Sequence, residues 1–426
     1  MLTDVRTARV LRRAGWAVAL AAVAMMSLGD AAQAKVRKTK TGYDGSIVWG
    51  ARIDLVPPEG GMGRYPRLVK VTQGDAAGDL LLFYQTVATG GDFWMYRSRD
   101  AGRSWQGPQK VNAAGNGWNY ASCNVIQLDD GRLMMSMQRR KRGSNLGKDY
   151  FIDVKYSDDG GASWGQPTEV FQGANWEARP IQVPNDANGD GINDIYIYFT
   201  QHVIPTDVPE DVASREDDYG RAVAWFASYD GGKTWGDPNT QRFTAQIIHR
   251  NFQEAKGKDA TDYSGGGMPT PFVLPGPRIA FVAEEIEKAH SPYVVASDPG
   301  DWDWTSTAFQ GAWTSANYDG MRDDRVYPQG GSNIWRVNDT EFGGAPYAAA
   351  LPDGRIAVAV NSKKRINVWL GDTSAHNFVK QEPPFGDDRA LYAFVEPISA
   401  SEVLVGAGPV EEPDAFIYLR IGKIAP

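Results

Sequence analysis

The chain has one cysteine, Cys123, in 426 residues. No intrachain disulfide is possible, and a lone cysteine in an apolar stretch reads as a small buried hydrophobe. Histidine is almost as scarce: His202, His249, His290 and His376 are scattered without the spacing of metal ligands, which argues against a zinc site or a histidine triad. Excess basic charge is missing too. Lys and Arg total 44 against 52 Asp and Glu, a net charge of −8, so no nucleic-acid footprint is expected. Beyond the N-terminus there is no candidate for a membrane span, which needs ~20 consecutive apolar residues. Glycine (47), proline (25) and tryptophan (14) are plentiful, a mixture that fits many short strands joined by tight turns.

The N-terminus carries Arg6, Arg9, Arg12 and Arg13, then an apolar run from Ala14 to Leu28, then Ala32-Gln33-Ala34. A basic start, a short apolar core and small residues at a cleavage site describe an export signal. The expected organisation is a signal over residues 1–34, cut after Ala34, and a single domain over 35–426. The mature chain is expected to be periplasmic or secreted, without membrane attachment, and monomeric.

One octet recurs. Ser98-Arg99-Asp100-Ala101-Gly102-Arg103-Ser104-Trp105 returns as Ser157 to Trp164 and as Ser228 to Trp235, in the shared frame S-x-D-x-G-x-[ST]-W. The aspartate can accept hydrogen bonds from turn amides, and the glycine supplies positive φ. The tryptophan is expected to fold back as an apolar plug between adjacent strands. Two degraded copies run from Ser297 to Trp302 and from Gly371 to Phe378. The steps between the terminal aromatics are 59, 71, 67 and 76 residues, the period of one supersecondary unit per repeat.

A second signal lies between the boxes. Leu128-Asp129-Asp130-Gly131-Arg132-Leu133 and Leu351-Pro352-Asp353-Gly354-Arg355-Ile356 each place a D-G turn between apolar runs, and Leu274 to Ile279 is a variant. Such turns mark hairpins. Five boxes plus an N-terminal strand region, Ile47 to Ile53, predict an all-β, six-bladed propeller with Asp-box hairpins. The C-terminal run Ala415 to Ile421 is expected to close the ring and leave no free edge.

Asp186-Ala187-Asn188-Gly189-Asp190-Gly191-Ile192-Asn193-Asp194 alternates oxygen side chains around bending glycines. Asp186, Asn188, Asp190 and Asp194, with the Ile192 carbonyl, form a candidate structural Ca²⁺ loop. The alternative is a polar surface turn that binds nothing. No cofactor is expected for catalysis.

Propeller sites lie on the axis, so their residues come from several blades. Two acids stand out. Glu177 sits beside Trp176 at the entrance to an apolar strand, and Ile279 to Ala283 runs into Glu284 and Glu285. A carboxylate at the end of a buried strand is costly unless it is functional or paired. An ion pair with a neighbouring arginine is the alternative reading of each. Two carboxylates facing one sugar are the minimum machinery for glycoside hydrolysis. Tyr65, Trp176 and Tyr347 are candidates for a sugar platform, with a place in the core the alternative.

At these residues the chain resembles the sialidase-like six-bladed propellers. The Asp boxes, Tyr65-Pro66-Arg67-Leu68, Trp176-Glu177, Gly267-Met268-Pro269 and the strand ending in Glu284 carry the likeness. Within that superfamily it most resembles glycoside hydrolase family 93, the exo-α-1,5-L-arabinanases. The resemblance implies Glu177 as general acid/base and Glu284 as nucleophile of a retaining exo-hydrolase. Glu285 is a rival for the second role, because strand alternation does not decide which acid faces the axis. It further implies Tyr65, Arg67, Trp176 and Tyr347 as binders of an arabinan-like carbohydrate, and carboxylates ~5–5.5 Å apart. Ala178-Arg179 stands where the family has proline, and Gly266 where it has arginine. The early Arg-Ile-Pro motif of sialidases is absent, which favours a neutral sugar; a clear arginine cluster on the axis would favour sialic acid. The competing classes are an exo-sialidase on the same scaffold and a non-catalytic propeller binding carbohydrate or protein.

Overall fold

In the computed structural model the described residues are 46–58, 61–86, 91–115, 117–141, 149–202, 221–236, 246–250, 266–285, 291–304, 333–338, 341, 343–410 and 416–425. The proposed signal, 1–34, lies outside them. Among the described residues no helix is long and apolar enough to cross a membrane. Every named element is a strand, and the strands form six four-stranded antiparallel sheets.

The outermost strand of the last blade comes first in sequence, as β1 (Ile47–Leu55). Blade one follows with β2 (Gly63–Lys70), β3 (Leu80–Thr86), β4 (Asp92–Ser98) and β5 (Gln106–Asn112). Blade two is β6 (Trp118–Gln127), β7 (Leu133–Lys141), β8 (Tyr150–Ser157) and β9 (Thr168–Gln172). Blade three is β10 (Asn175–Gln182), β11 (Ile195–His202), β12 (Arg221–Ser228) and β13 (Gln246–Arg250). Blade four is β14 (Gly266–Leu274), β15 (Arg278–Glu285), β16 (Tyr293–Ala296) and β17 (Ile334–Arg336). Blade five is β18 (Gly344–Ala350), β19 (Ile356–Ser362), β20 (Arg365–Gly371) and β21 (Val379–Lys380). Blade six is β22 (Ala390–Ser399), β23 (Glu402–Pro409) and β24 (Ile417–Ile424), completed by β1.

Closure therefore differs from the expectation in one respect. The segment Ile47 to Ile53 begins no blade of its own; β1 pairs antiparallel with β24, Ile47 opposite Ile424 and Leu55 opposite Ile417. Each innermost strand also touches the innermost strand of the next blade, and the sixth touches the first. Joining both ends of the chain in one sheet satisfies backbone groups that would otherwise form open edges.

The same closure explains the number of Asp boxes. Each box links the third strand of a blade to its fourth, as Ser98–Gln106 links β4 to β5. In blade six that junction lies between the two ends of the chain, so there is no connection to carry a sixth box. Within the boxes the expected chemistry holds. Ser98 Oγ accepts from the Gly102 amide at 2.8 Å and donates to Asp100 at 2.9 Å. Asp100 accepts from the Ser104 amide at 2.8 Å and its hydroxyl at 2.6 Å. These bonds pull the Asp100 carboxyl down to about 2. Gly232 needs its φ of 87°, and a Cβ there would collide with the Tyr156 hydroxyl. The tryptophans plug the gaps between blades rather than between strands: Trp164 meets Phe83 of blade one edge-on at 5.7 Å, and Trp235 joins a cluster drawn from blades two and three.

Burial follows position in the blade. The second strand β3, Leu-Leu-Leu-Phe-Tyr-Gln-Thr, is buried at all but one residue, because sheets cover both its faces. The fourth strand β5 is mostly exposed. The core is divided into wedges between neighbouring blades. Burying a phenylalanine such as Phe226, with no exposed surface, contributes roughly 1.5–3 kcal/mol.

Candidate active site at the hub

The six innermost strands share one irregularity, placed at the same point in each. Near its start, every one of them has a β-bulge, at which a non-glycine residue takes positive φ. These residues are Tyr65 (50°), Ser122 (49°), Glu177 (50°), Met268 (51°), Ala345 (46°) and Tyr392 (58°). The register slips at each, for example between Trp176 and Arg179 and between Gly267 and Thr270. Bulges re-aim side chains and gather near active sites. Such backbone costs of the order of 1–3 kcal/mol per residue and persists only where its surroundings enforce it. Half of the twelve non-glycine residues with positive φ among the described residues thus fall in this one ring.

A small or cyclic residue follows each bulge: Pro66, Cys123, Ala178, Pro269, Pro346 and Ala393. Then comes a second ring of Arg67, Asn124, Arg179, Thr270, Tyr347 and Phe394, all nine-tenths or more buried. Cys123 is fully buried, as expected, and burial pushes its thiol up to about 12.

Glu177 is 8% exposed, at the bulge of β10. Thr200, opposite Trp176 on β11, donates its hydroxyl to Glu177 Oε2 at 3.2 Å and accepts the Met268 amide at 2.8 Å. Glu284 reaches in from the end of β15, where it pairs with Gly267, and its Oε2 accepts the Ala345 amide. A Cβ on Gly267 would lie 3.3 Å from Glu284 Oε1 and 3.5 Å from Thr200 Oγ1. The two acids thus flank one threonine and one glycine, and no side chain at 267 stands between them. Both also act electrostatically on Arg179. The side chain of Glu285 lies outside what is described.

The predicted binding residues divide. Tyr65 is half-buried and stacks on Tyr392 with ring centres 3.9 Å apart. Arg67 is buried, donating to Asn124 at 3.1 Å and to the carbonyls of Pro66 and Tyr392. Tyr347 lies between two guanidinium groups, Arg67 at 5.1 Å and Arg179 at 5.0 Å from its ring centre. Its hydroxyl donates to Glu396. Trp176 packs towards blade two, with the Arg140 guanidinium over its ring at 3.1 Å and Tyr150 edge-on at 6.3 Å.

Arg179, Tyr392, Glu396, Asn124 and Thr200 were not singled out from the sequence. A frame of residue–small or proline–polar at the start of each inner strand, as in Tyr65-Pro66-Arg67, Glu177-Ala178-Arg179 and Ala345-Pro346-Tyr347, would have found Arg179 and Asn124. Glu396 sits two residues further along β22. Desolvation there outweighs the Tyr347 bond and both arginines, and raises its carboxyl to about 7.

The candidate calcium loop connects β10 to β11, the place occupied by D-G turns in blades two and five. Its five predicted ligands lie in that one loop, with their carboxylates engaged by the loop itself. Asp186 accepts the amides of Gly189, Asp190 and Gly191 at 2.8, 3.0 and 2.8 Å. Asp190 accepts the Ile192 amide, Asn188 donates to the Tyr229 carbonyl, and the fully buried Asp194 accepts from Asn185. Among the described residues no group of three or more His, Cys, Asp or Glu is arranged to hold a metal ion.

No protein-family model matches the chain, and no curated protein matches it by sequence. Solved structures do match. The α-L-arabinanase of Penicillium chrysogenum, complexed with arabinobiose, is 14% identical with a TM-score of 0.59, over 88% of this chain and 98% of that one. The GH93 α-L-arabinofuranosidase of Fusarium graminearum, also with arabinobiose, is 15% identical with a TM-score of 0.58 over the same shares. The fold is that of the sialidase-like propellers. A Trypanosoma rangeli sialidase in complex with sialic acid is 11% identical, TM-score 0.52, and the chain spans 59% of its length. Identities this low establish architecture alone.

Proposed function

We propose that the protein is an exported, retaining exo-glycoside hydrolase acting on an arabinan-like or related carbohydrate. The observation that carries this reading is the meeting of Glu177 and Glu284 at Thr200 and Gly267. In the reaction, one Glu284 oxygen attacks the anomeric carbon as the glycosidic bond breaks and Glu177 gives its proton to the leaving oxygen. Glu177 then takes a proton from water, which attacks the same carbon and releases Glu284. The Ala345 amide fixes one Glu284 oxygen, and Thr200 orients Glu177.

The likeness to arabinobiose-bound structures supports a neutral pentose. An acidic sugar on the same fold is the second reading, favoured by the two buried hub arginines. Arg67, however, is committed to Asn124 and two carbonyls, which leaves one available guanidinium rather than a cluster. A non-catalytic propeller would be favoured by acids clamped to arginines. Arg179 gives Nη1 to the Pro346 carbonyl, and its other two nitrogens bond to neither acid.

The test is hydrolysis of aryl α-L-arabinofuranoside, linear arabinan and an aryl sialoside by the mature protein. Release from the first two supports the reading. Release from the sialoside alone replaces it with the second, and no release from any glycoside tested favours a binding module.

A further inference from the structure

Below the acids, along the axis towards the D-G turns, lies a cavity of about 270 Å³. Arg179, Asn124, Thr270, Tyr347 and Glu396 line it, and Ile126, Ile181, Phe272 and Ala349 supply apolar wall. Neither Glu177 nor Glu284 belongs to its lining. It extends to Ala350, which is exposed at the end of β18, so it is reached from the face opposite the acids.

Arg179 is 2% exposed, yet its Nε and Nη2 have no hydrogen-bond partner. Leaving buried donors unsatisfied costs about 1–3 kcal/mol, and more for a charged group. The two free nitrogens share one edge of the planar guanidinium, the edge whose parallel N–H groups match the two oxygens of a carboxylate. Nη1, off that edge, is the one already used by Pro346. A polar end of this shape and an apolar wall beyond it suit a small molecule with one carboxylate and a short hydrocarbon tail.

We propose that this axial cavity is a second ligand site, taking a short-chain monocarboxylate on the Nε–Nη2 edge of Arg179. The site is separate from the proposed catalytic centre and does not depend on the protein being a hydrolase.

The experiment is thermal unfolding and calorimetric titration of the mature protein with sodium butyrate, against sodium chloride at equal ionic strength. Butyrate is expected to bind saturably and raise Tm, where chloride does not. Arg179→Lys keeps the charge without the fork and is expected to weaken binding at least tenfold. Ala349→Leu fills the cavity from β18 without touching Arg179, and is expected to abolish binding while leaving Tm without butyrate within a few degrees. Equal effects of butyrate and chloride, absence of saturable binding, or butyrate binding unchanged in Ala349→Leu would each overturn the proposal.

Discussion

Thr200 donates its hydroxyl to Glu177 at 3.2 Å while accepting the backbone amide of Met268 at 2.8 Å. One side chain thus joins the candidate acid of blade three to the bulge of blade four. A hydrogen bond to a charged group is worth about 1.5–3 kcal/mol. Thr200→Val keeps the shape and removes the bond, so kcat is expected to fall about 10- to 100-fold. An unchanged kcat would make Thr200 a packing residue only.

Glu396 offers a stability test that needs no substrate. Burial raises its carboxyl from the ordinary 4.5 to about 7, so the folded protein holds a proton that the unfolded chain releases near 4.5. Its contribution is full below the unfolded value and is lost as pH rises through about 7. Tm is expected to fall between pH 5 and pH 8, by an amount of the order of a few kcal/mol in unfolding free energy. Glu396→Gln should flatten that dependence. A wild-type Tm that rises over the same range would contradict the assignment.

Asp186 tests what holds the β10–β11 loop. It accepts three backbone amides, so Asp186→Ala is expected to cost about 1–3 kcal/mol. The cost should appear in EGTA as well as in calcium, read by thermal unfolding. A loss of stability confined to calcium-containing buffer would make a bound metal the loop's main support.

Gly267 is the simplest steric probe. A methyl there would crowd Glu284 Oε1 at 3.3 Å and make ordinary contact with Thr200 Oγ1 at 3.5 Å. Gly267→Ala is expected to lower kcat at least tenfold with little change in Tm, since neither contact is with the core. Full activity would show that the space between the acids is not used.

The architecture was legible because it is written locally. Each Asp box is a closed set of bonds within eight residues, and each D-G turn fixes its own hairpin. Closure was half legible: Ile47 to Ile53 looks like any strand, and only its partner β24 shows that it ends a blade rather than starting one. At the site, Glu177 and Glu284 could be named because acids beside apolar strands are conspicuous. Arg179 and Glu396 were not, because their meaning comes from other blades: Pro346 and Tyr347 lie 167 and 168 residues beyond Arg179, and the same Tyr347 lies 49 residues before Glu396. Trp176 looked like a platform by residue type alone, whereas Arg140 already covers one face of its ring.

The most direct measurement follows the fate of the glycosyl group in Glu177→Gln. With an activated aryl arabinofuranoside the leaving group needs no proton, so the first step proceeds while release by water is slow. A burst of phenolate is expected, together with a pentosyl mass increment on the peptide containing Glu284. A burst without that label, a label on another residue, or turnover equal to wild type would contradict the claim that these two carboxylates serve one anomeric carbon.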